Sequence, residues 1–449
     1  MSSTEVSETI EAIREHACPL AADENFEQLL KHIGDASIVL LGEMTHGTHE
    51  FYAARAAISR RLIAEKGFDA IAVEADWPDA LRVNRYIHHV GTDRNAEEAL
   101  QGFQRFPQWM WRNTEIIDLV EWLRSHNARI AKVESQIGFF GLDLYSLRTS
   151  MAEVVHYLER VDPGAAKRAH AWYSCFDHLA ADPQHYGYAT RFGLMKDCED
   201  EVIRQLVALM SESGKYLIQD GLAAFDELFY VQQNARVVKN AEAYYRAMFR
   251  SHDESWNLRD SHMAETLQIL REHIGARKGI PTRLIVWAHN SHIGDARATE
   301  MGDHGQLNLG QLVRERYAPD ETFLLGFTTY AGTVTAASEW DGPAERKNVL
   351  SSRLDSFERV LHDSDLGDFL LPLRAGDSQL QPLAQRRLER AIGVIYLPDS
   401  ERVSHYFHAS LKLQFDAVIH FDRTSAIEPL ERSPHWPLEE APETYPTGI

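Results

Sequence analysis

The sequence predicts an α/β fold: a mostly parallel β-sheet core flanked by helices, with a large helical insertion forming one side of an active cleft. Three observations lead there. Short, nearly continuous apolar runs recur along the chain, as strands buried on both faces require. Helix-type spacing separates them, and strand, helix, strand in that order means parallel pairing with right-handed crossovers. Between the third and fourth runs lies a long stretch of helical periodicity with no clear strand.

The elements follow in order. SIVLLGE (37–43) reads as the first strand. Phe51, Ile58 and Leu62 line one face of the helix after it, and Gly67 ends that helix. DAIAVEAD (69–76) is the second strand; Ile116, Leu119, Val120 and Leu123 then mark a helix ahead of the third, IGFFGLD (137–143). Helices are predicted over 150–161, 193–213, 217–249 and 261–277, with turns at 162–170 and 182–188. RLIVWAHN (283–290), TFLLGFTT (322–329), IGVIYLP (392–398) and FDAVIHFD (415–422) resume the strand pattern. The expected organisation is a first part of the α/β core in 1–149, a helical insertion or cap in 150–279, a second part of the core in 280–428, and an extended acidic tail in 429–449.

Composition narrows the function classes. Lys and Arg number 46 against 67 Asp and Glu, a net charge of −21 over 449 residues, which argues against nucleic acid or an anionic membrane as partner. No apolar stretch approaches the roughly 20 residues of a membrane helix. The polar start MSSTEVSETIEAIREHA lacks an apolar signal core, so a cytoplasmic protein is expected. Cys18, Cys175 and Cys198 are too few and too scattered for a disulfide framework or a cysteine zinc site, and read as small buried hydrophobes.

Open parallel sheets gather ligands at the carboxyl ends of their strands. The first strand ends in Glu43, with His46 and His49 close behind. The second ends in Glu74 and Asp76, the third in Asp143, the fourth in His289 and His292, and the last in Asp422 and Arg423. One carboxylate at a strand end often only caps a helix. Carboxylates and histidines from several strands at one sheet edge point instead to an active site. Arg55 shares the inward face with Phe51 and Ile58; its guanidinium either pairs with Glu43 or Glu74, or reaches water over its apolar stem. In FQRFPQWMWRNTE (103–115), Trp109 and Trp111 either wall a cleft or pack the core, and core packing is the better expectation.

Serine-elbow, phosphate-loop, dinucleotide-binding and H-E-x-x-H signatures are absent. No resident cofactor is expected, although the spacing His289-Asn-Ser-His292 leaves a divalent metal open. Two alternatives remain beside a metal-free hydrolase: a non-enzymatic protein holding a metal or haem with the same groups, and a metal-dependent hydrolase.

GEMTHGTHEF, RLIAEKGFDAIAVEADW, MWRNTEIIDLVEWLR, GLDLYSL, SWNLRDSHMAETL and WAHNSHIGDAR together resemble the erythromycin esterase family. The form T-H-G-T-H-E departs from the macrolide-inactivating members and is similar to the broader group of homologues. The resemblance implies an α/β core with a helical portion, and hydrolysis of a small-molecule ester or lactone without a serine nucleophile. It implies His46 as general base, with Glu43, Arg55, Glu74, His289 and His292 as the other catalytic positions.

Overall fold

The computed structural model describes all residues except 1–2, 21–25, 177–182, 192–195, 218–220, 375–377 and 433–449. Eleven strands are described: β1 Cys18–Pro19, β2 Ile38–Leu41, β3 Ala70–Asp76, β4 Gly138–Asp143, β5 Leu284–Trp287, β6 Thr322–Ala336, β7 Glu345–Val349, β8 Phe369–Pro372, β9 Arg387–Arg390, β10 Tyr406–Ala409 and β11 Ala417–Thr424. The main sheet runs β1-β8-β11-β6-β2-β5-β3-β4, with β7 paired to β6; β9 and β10 form a separate hairpin. Pairings from β4 through β11 along that path are parallel, whereas β8 is antiparallel to β11 and β1 to β8. The mostly parallel sheet of the sequence reading is therefore present.

Alternation within the buried strands divides the core. Val39, Leu41, Ile71 and Val73 face one apolar layer, while Ile38, Leu40, Ala70 and Ala72 face the other. The first layer is closed by the His49–Lys66 helix, whose Phe51, Tyr52, Ile58 and Leu62 are buried. Gly67 ends it in the left-handed region at φ 66°, its N–H returning to the Leu62 carbonyl. The second layer is closed by the His252–Lys278 helix through Met263, Leu267, Leu270 and Ile274. Between β4 and that helix, the helices Leu147–Val161, Glu199–Ser211 and Gly221–Met248 share a third apolar cluster of their own.

Several expectations need correction. The run 392–398 is not a strand; it makes isolated bridges, Ile392 to Thr45 and Ile395 to Ala337, because no strand runs continuously beside it. The turns expected at 162–170 and 182–188 are occupied by helices Pro163–Tyr173 and Pro183–Arg191, since Pro is accommodated in a first helical turn. Asp162 caps the former through the N–H groups of Gly164 and Ala165. Cys175 and Cys198 are not isolated hydrophobes but form a disulfide with a Cα separation of 5.9 Å. Their distance in sequence hides a proximity that only the packing of the helical portion creates. Trp109 and Trp111 both join the first apolar layer, as expected. Most of the acidic tail, 433–449, lies outside the described residues.

Among the described residues no helix is long and apolar enough to cross a membrane.

Candidate active site

Why Gly42-Glu43-Met44-Thr45-His46-Gly47 follows β2 is answered by close packing. A side chain on Gly42 would overlap the Asn290 amide, and one on Gly47 would overlap the Thr335 carbonyl. The Gly47 carbonyl accepts the N–H groups of Thr335 and Ile427, each at 2.9 Å, so this loop is tied to β6 and to the chain beyond β11. Pinned at both glycines, the loop turns Glu43 and His46 toward the sheet edge.

Those two residues and Arg55 form a chain. His46 Nδ1 donates to Glu43 Oε1 at 3.0 Å, and Arg55 Nη2 donates to Glu43 Oε2 at 2.7 Å. Arg55 is only 1% exposed and lies over the Tyr52 and Trp287 rings at 4.3 and 4.6 Å. Of the two readings offered for Arg55, burial in an ion pair is the observed one. Its partner is Glu43, not Glu74, and the cation–π contacts supply part of what desolvation removes.

A second network occupies the neighbouring strand ends. Glu74 Oε2 accepts the backbone N–H of His289 at 2.8 Å, and Oε1 accepts Arg259 Nη2 at 2.7 Å. Arg259 is also bidentate on Asp143, through Nε at 3.0 Å and Nη2 at 2.7 Å. The β3–β4 register shifts between Val73 and Asp76, a local irregularity beside Glu74 that sets how these carboxylates leave the sheet.

His292 Nδ1 faces both oxygens of Asp260, at 2.9 and 3.0 Å, and Trp256 stacks on its ring at 4.5 Å. Its Nε2 edge faces Glu74 Oε1 at 3.3 Å and Arg259 Nη1 at 2.9 Å, so its protonation decides which contact is a hydrogen bond. Burial depresses its pKa, but Asp260 and Glu74 outweigh that and raise it to about 9. Burial alone would raise Glu74, yet His292 and Arg259 hold it well below the usual carboxylate range.

His289 behaves oppositely. Nε2 donates to the Met44 carbonyl at 3.0 Å and Nδ1 accepts from Ser291 Oγ at 2.8 Å, so both ring nitrogens are engaged. Burial, reinforced by His46, lowers its pKa to about 3 and leaves it neutral. Its ring centroid is 4.8 Å from that of His46.

All six residues singled out in the sequence converge on the carboxyl edge of the parallel strands. His46, Glu74, His289 and His292 line a cavity of about 380 Å³, with Glu43 and Arg55 packed behind His46. Sequence reasoning did not single out Arg259 and Asp260, although the SWNLRD segment was in view. An Arg-Asp pair on a helix carries no periodic signal that it points at a distant strand edge. His49, by contrast, turns aside to Glu115 at 2.6 Å, and Asp422 pairs with His362. The expected strand at 392–398 became a cavity wall, with Ala391, Gly393 and Val394 lining it beside Phe106, Trp111 and Trp340. Among the described residues, no group of three or more His, Cys, Asp or Glu is arranged to hold a metal ion.

The family model for erythromycin esterase matches residues 63–424, most of the chain. The chain belongs to the erythromycin esterase family. Within it, the chain is 26% identical over 329 residues to the erythromycin esterase type II of Escherichia coli, covering 70% of this chain and 74% of that one. The fold is shared with a crystallised succinoglycan biosynthesis protein at a TM-score of 0.76 and 24% identity, covering 95% of this chain and all of that one. It is also shared with an erythromycin esterase mutant, EreC, in its open conformation, at a TM-score of 0.64 and 18% identity, with coverage of 89% and 94%. Family membership makes the chain a hydrolase by descent, in agreement with the resemblance carried by its motifs.

Proposed function

We propose that this family member hydrolyses a carboxylic ester or lactone, with His46 as the general base that activates water and no serine nucleophile. The observation that carries the reading is the Arg55–Glu43–His46 chain opening onto the cavity. With Nδ1 donating to Glu43, the other ring nitrogen of His46 is the proton acceptor. Glu43 fixes that tautomer, and Arg55 fixes Glu43.

In the reaction, a water oxygen forms a bond to the carbonyl carbon while its proton passes to His46. The tetrahedral oxyanion is met by positive charge from Arg259 and from protonated His292. The C–O bond to the leaving group then breaks, and the departing alkoxide takes the proton back from His46. Neutral His289 packs against the His46 ring, and Glu74 holds His289, Arg259 and His292 in register. Arg259 and His292 take this role rather than His289 or Arg55, because both line the cavity as cations, whereas His289 is neutral and Arg55 is enclosed behind Glu43.

The test is hydrolysis of a panel of aryl esters, lactones and macrolides by wild type and His46→Ala, with and without chelator. General-base catalysis contributes about 10²–10⁴-fold, so a folded variant should lose at least 100-fold. A loss below about tenfold would refute the base assignment. Turnover abolished by chelator would favour the metal-dependent alternative.

A further inference from the structure

The Cys175–Cys198 disulfide takes no part in the chemistry proposed above, yet its packing leads to the cavity. It joins the turn after the Pro163–Tyr173 helix to the residue before the Glu199–Ser211 helix, with the Pro183–Arg191 helix between them in sequence. Cys198 is buried and Cys175 is partly exposed, so a small thiol meets the bond from the Cys175 side.

Both ends hold the Pro183–Arg191 helix. Phe176, next to Cys175, packs on the Tyr186 ring at 5.3 Å, and the Cys198 N–H donates to Tyr186 Oη at 2.8 Å. Tyr186 Oη donates in turn to Glu242 of the Gly221–Met248 helix, and Arg246 bridges Glu242 and Glu199, each at 3.1 Å. Gly187 lies so close to that helix that a Cβ on it would overlap the Tyr245 carbonyl.

The Gly221–Met248 helix continues the contact inward. Tyr245 Oη donates to the Tyr145 carbonyl at 3.4 Å, and Tyr244 meets the Tyr145 ring edge-on at 5.3 Å, with the two hydroxyls 3.3 Å apart. Tyr145 lines the cavity, and its ring is covered by Arg105 at 4.4 Å and by Arg259 at 5.1 Å. Arg259 is the group that holds Glu74 and Asp143. Contiguous packing of this kind carries a change only where some element has two discrete states, and a disulfide that opens and closes is such an element.

We propose that Cys175–Cys198 is a reversible switch exchanging with a small-thiol couple. Its oxidised form holds the Pro183–Arg191 helix against the Gly221–Met248 helix and, through Tyr244, Tyr245 and Tyr145, keeps Arg105 and Arg259 in place at the cavity. With glutathione as the probe couple, opening takes two exchanges. A glutathione thiolate attacks Cys175 Sγ, the Cys175–Cys198 bond breaks, and Cys198 leaves as a thiolate. A second glutathione thiolate attacks the glutathione sulfur of the mixed disulfide, forming glutathione disulfide and releasing Cys175. The two protons given up by glutathione end on Cys175 and Cys198, so one disulfide is reduced as two thiols are oxidised. Glutathione disulfide reverses the sequence.

Wild type equilibrated with excess reduced glutathione or excess glutathione disulfide tests the switch, by thiol titration after an acid quench in denaturant and by native hydrogen exchange. The thiol count should move reversibly between one, Cys18, and three. Reduction should speed exchange in residues 183–191 by at least about tenfold, because the cross-link no longer restrains the locally open state, and in 143–147 by at least about twofold. Cys175→Ser, at a partly exposed position, should match reduced wild type in both buffers. A thiol count fixed at one marks a permanent staple and overturns the switch, as does a count fixed at three. Exchange unchanged by reduction in either segment overturns it too, as does redox-dependent exchange that persists in Cys175→Ser. None of these measurements needs turnover: failure of the ester panel would sink the hydrolase reading alone, and a fixed thiol count would sink the switch alone.

Discussion

Replacing Arg55 by Met keeps the apolar stem over Tyr52 and Trp287 but removes the guanidinium from Glu43. The carboxylate is 2% exposed and its other oxygen is taken by His46 at 3.0 Å, so water cannot take the place of the lost charge. Breaking a buried pair from one side costs about 3–5 kcal/mol, because the surviving charge stays desolvated. Unfolding entropy of about 2.1 cal/mol/K per residue, over 449 residues, converts that to a fall in Tm of about 3–5 °C. Thermal unfolding followed by circular dichroism reads it directly. The double variant Arg55→Met/Glu43→Met should recover most of the loss, since removing both charges of a buried pair is near neutral. Hydrolysis should fall in both, because His46 loses its fixed partner. A Tm within about 1 °C of wild type for the single variant would refute the claim that this pair is buried and mutually dependent.

Other outcomes follow from the same geometry. The folded pKa of His292, about 9, lies above its unfolded value near 6.5, so its stabilisation is complete below pH 6.5 and disappears as pH rises through 9. Stability should therefore decline across that window, and less steeply in Asp260→Asn, where the first raising partner is gone; denaturant midpoints at stepped pH check this. The alkaline limb of hydrolysis should move to lower pH in the same variant. Arg259→Met should lower kcat by on the order of 10²-fold if it meets the oxyanion, with a smaller change in KM. Gly47→Ala forces a methyl group into the Thr335 carbonyl and should cost about 1–3 kcal/mol or more, seen as a lower Tm.

Much of the site was legible because it sits where backbone topology, not side-chain detail, decides proximity. Apolar runs ending in Glu43, Glu74 and His289 are local facts of the sequence, and parallel pairing brings their ends together whatever the intervening chain does. Arg55 was legible as inward-facing from its spacing to Phe51 and Ile58, but two carboxylates were open as partners. Only the fold chose Glu43, by turning Glu74 toward Arg259. The short strands β1, β7, β8, β9 and β10 escaped sequence reading, since two to five residues of strand carry little periodicity. The run 392–398 misled for the converse reason: an apolar stretch can line a cavity as well as extend a sheet.

By itself, then, the sequence determined the alternation of strand and helix, the acid-rich composition, the family motifs, and which titratable residues follow the strand ends, with Arg55 on the inward face of the next helix, all of which depend on neighbours within a few positions. Tertiary structure decided the rest. It paired Cys175 with Cys198 and made a wall of residues 391–394. It brought Arg259 and Asp260 from the 252–278 helix to Glu74, Asp143 and His292. These are contacts between groups far apart in the chain, and they depend on how the layers pack rather than on any local pattern.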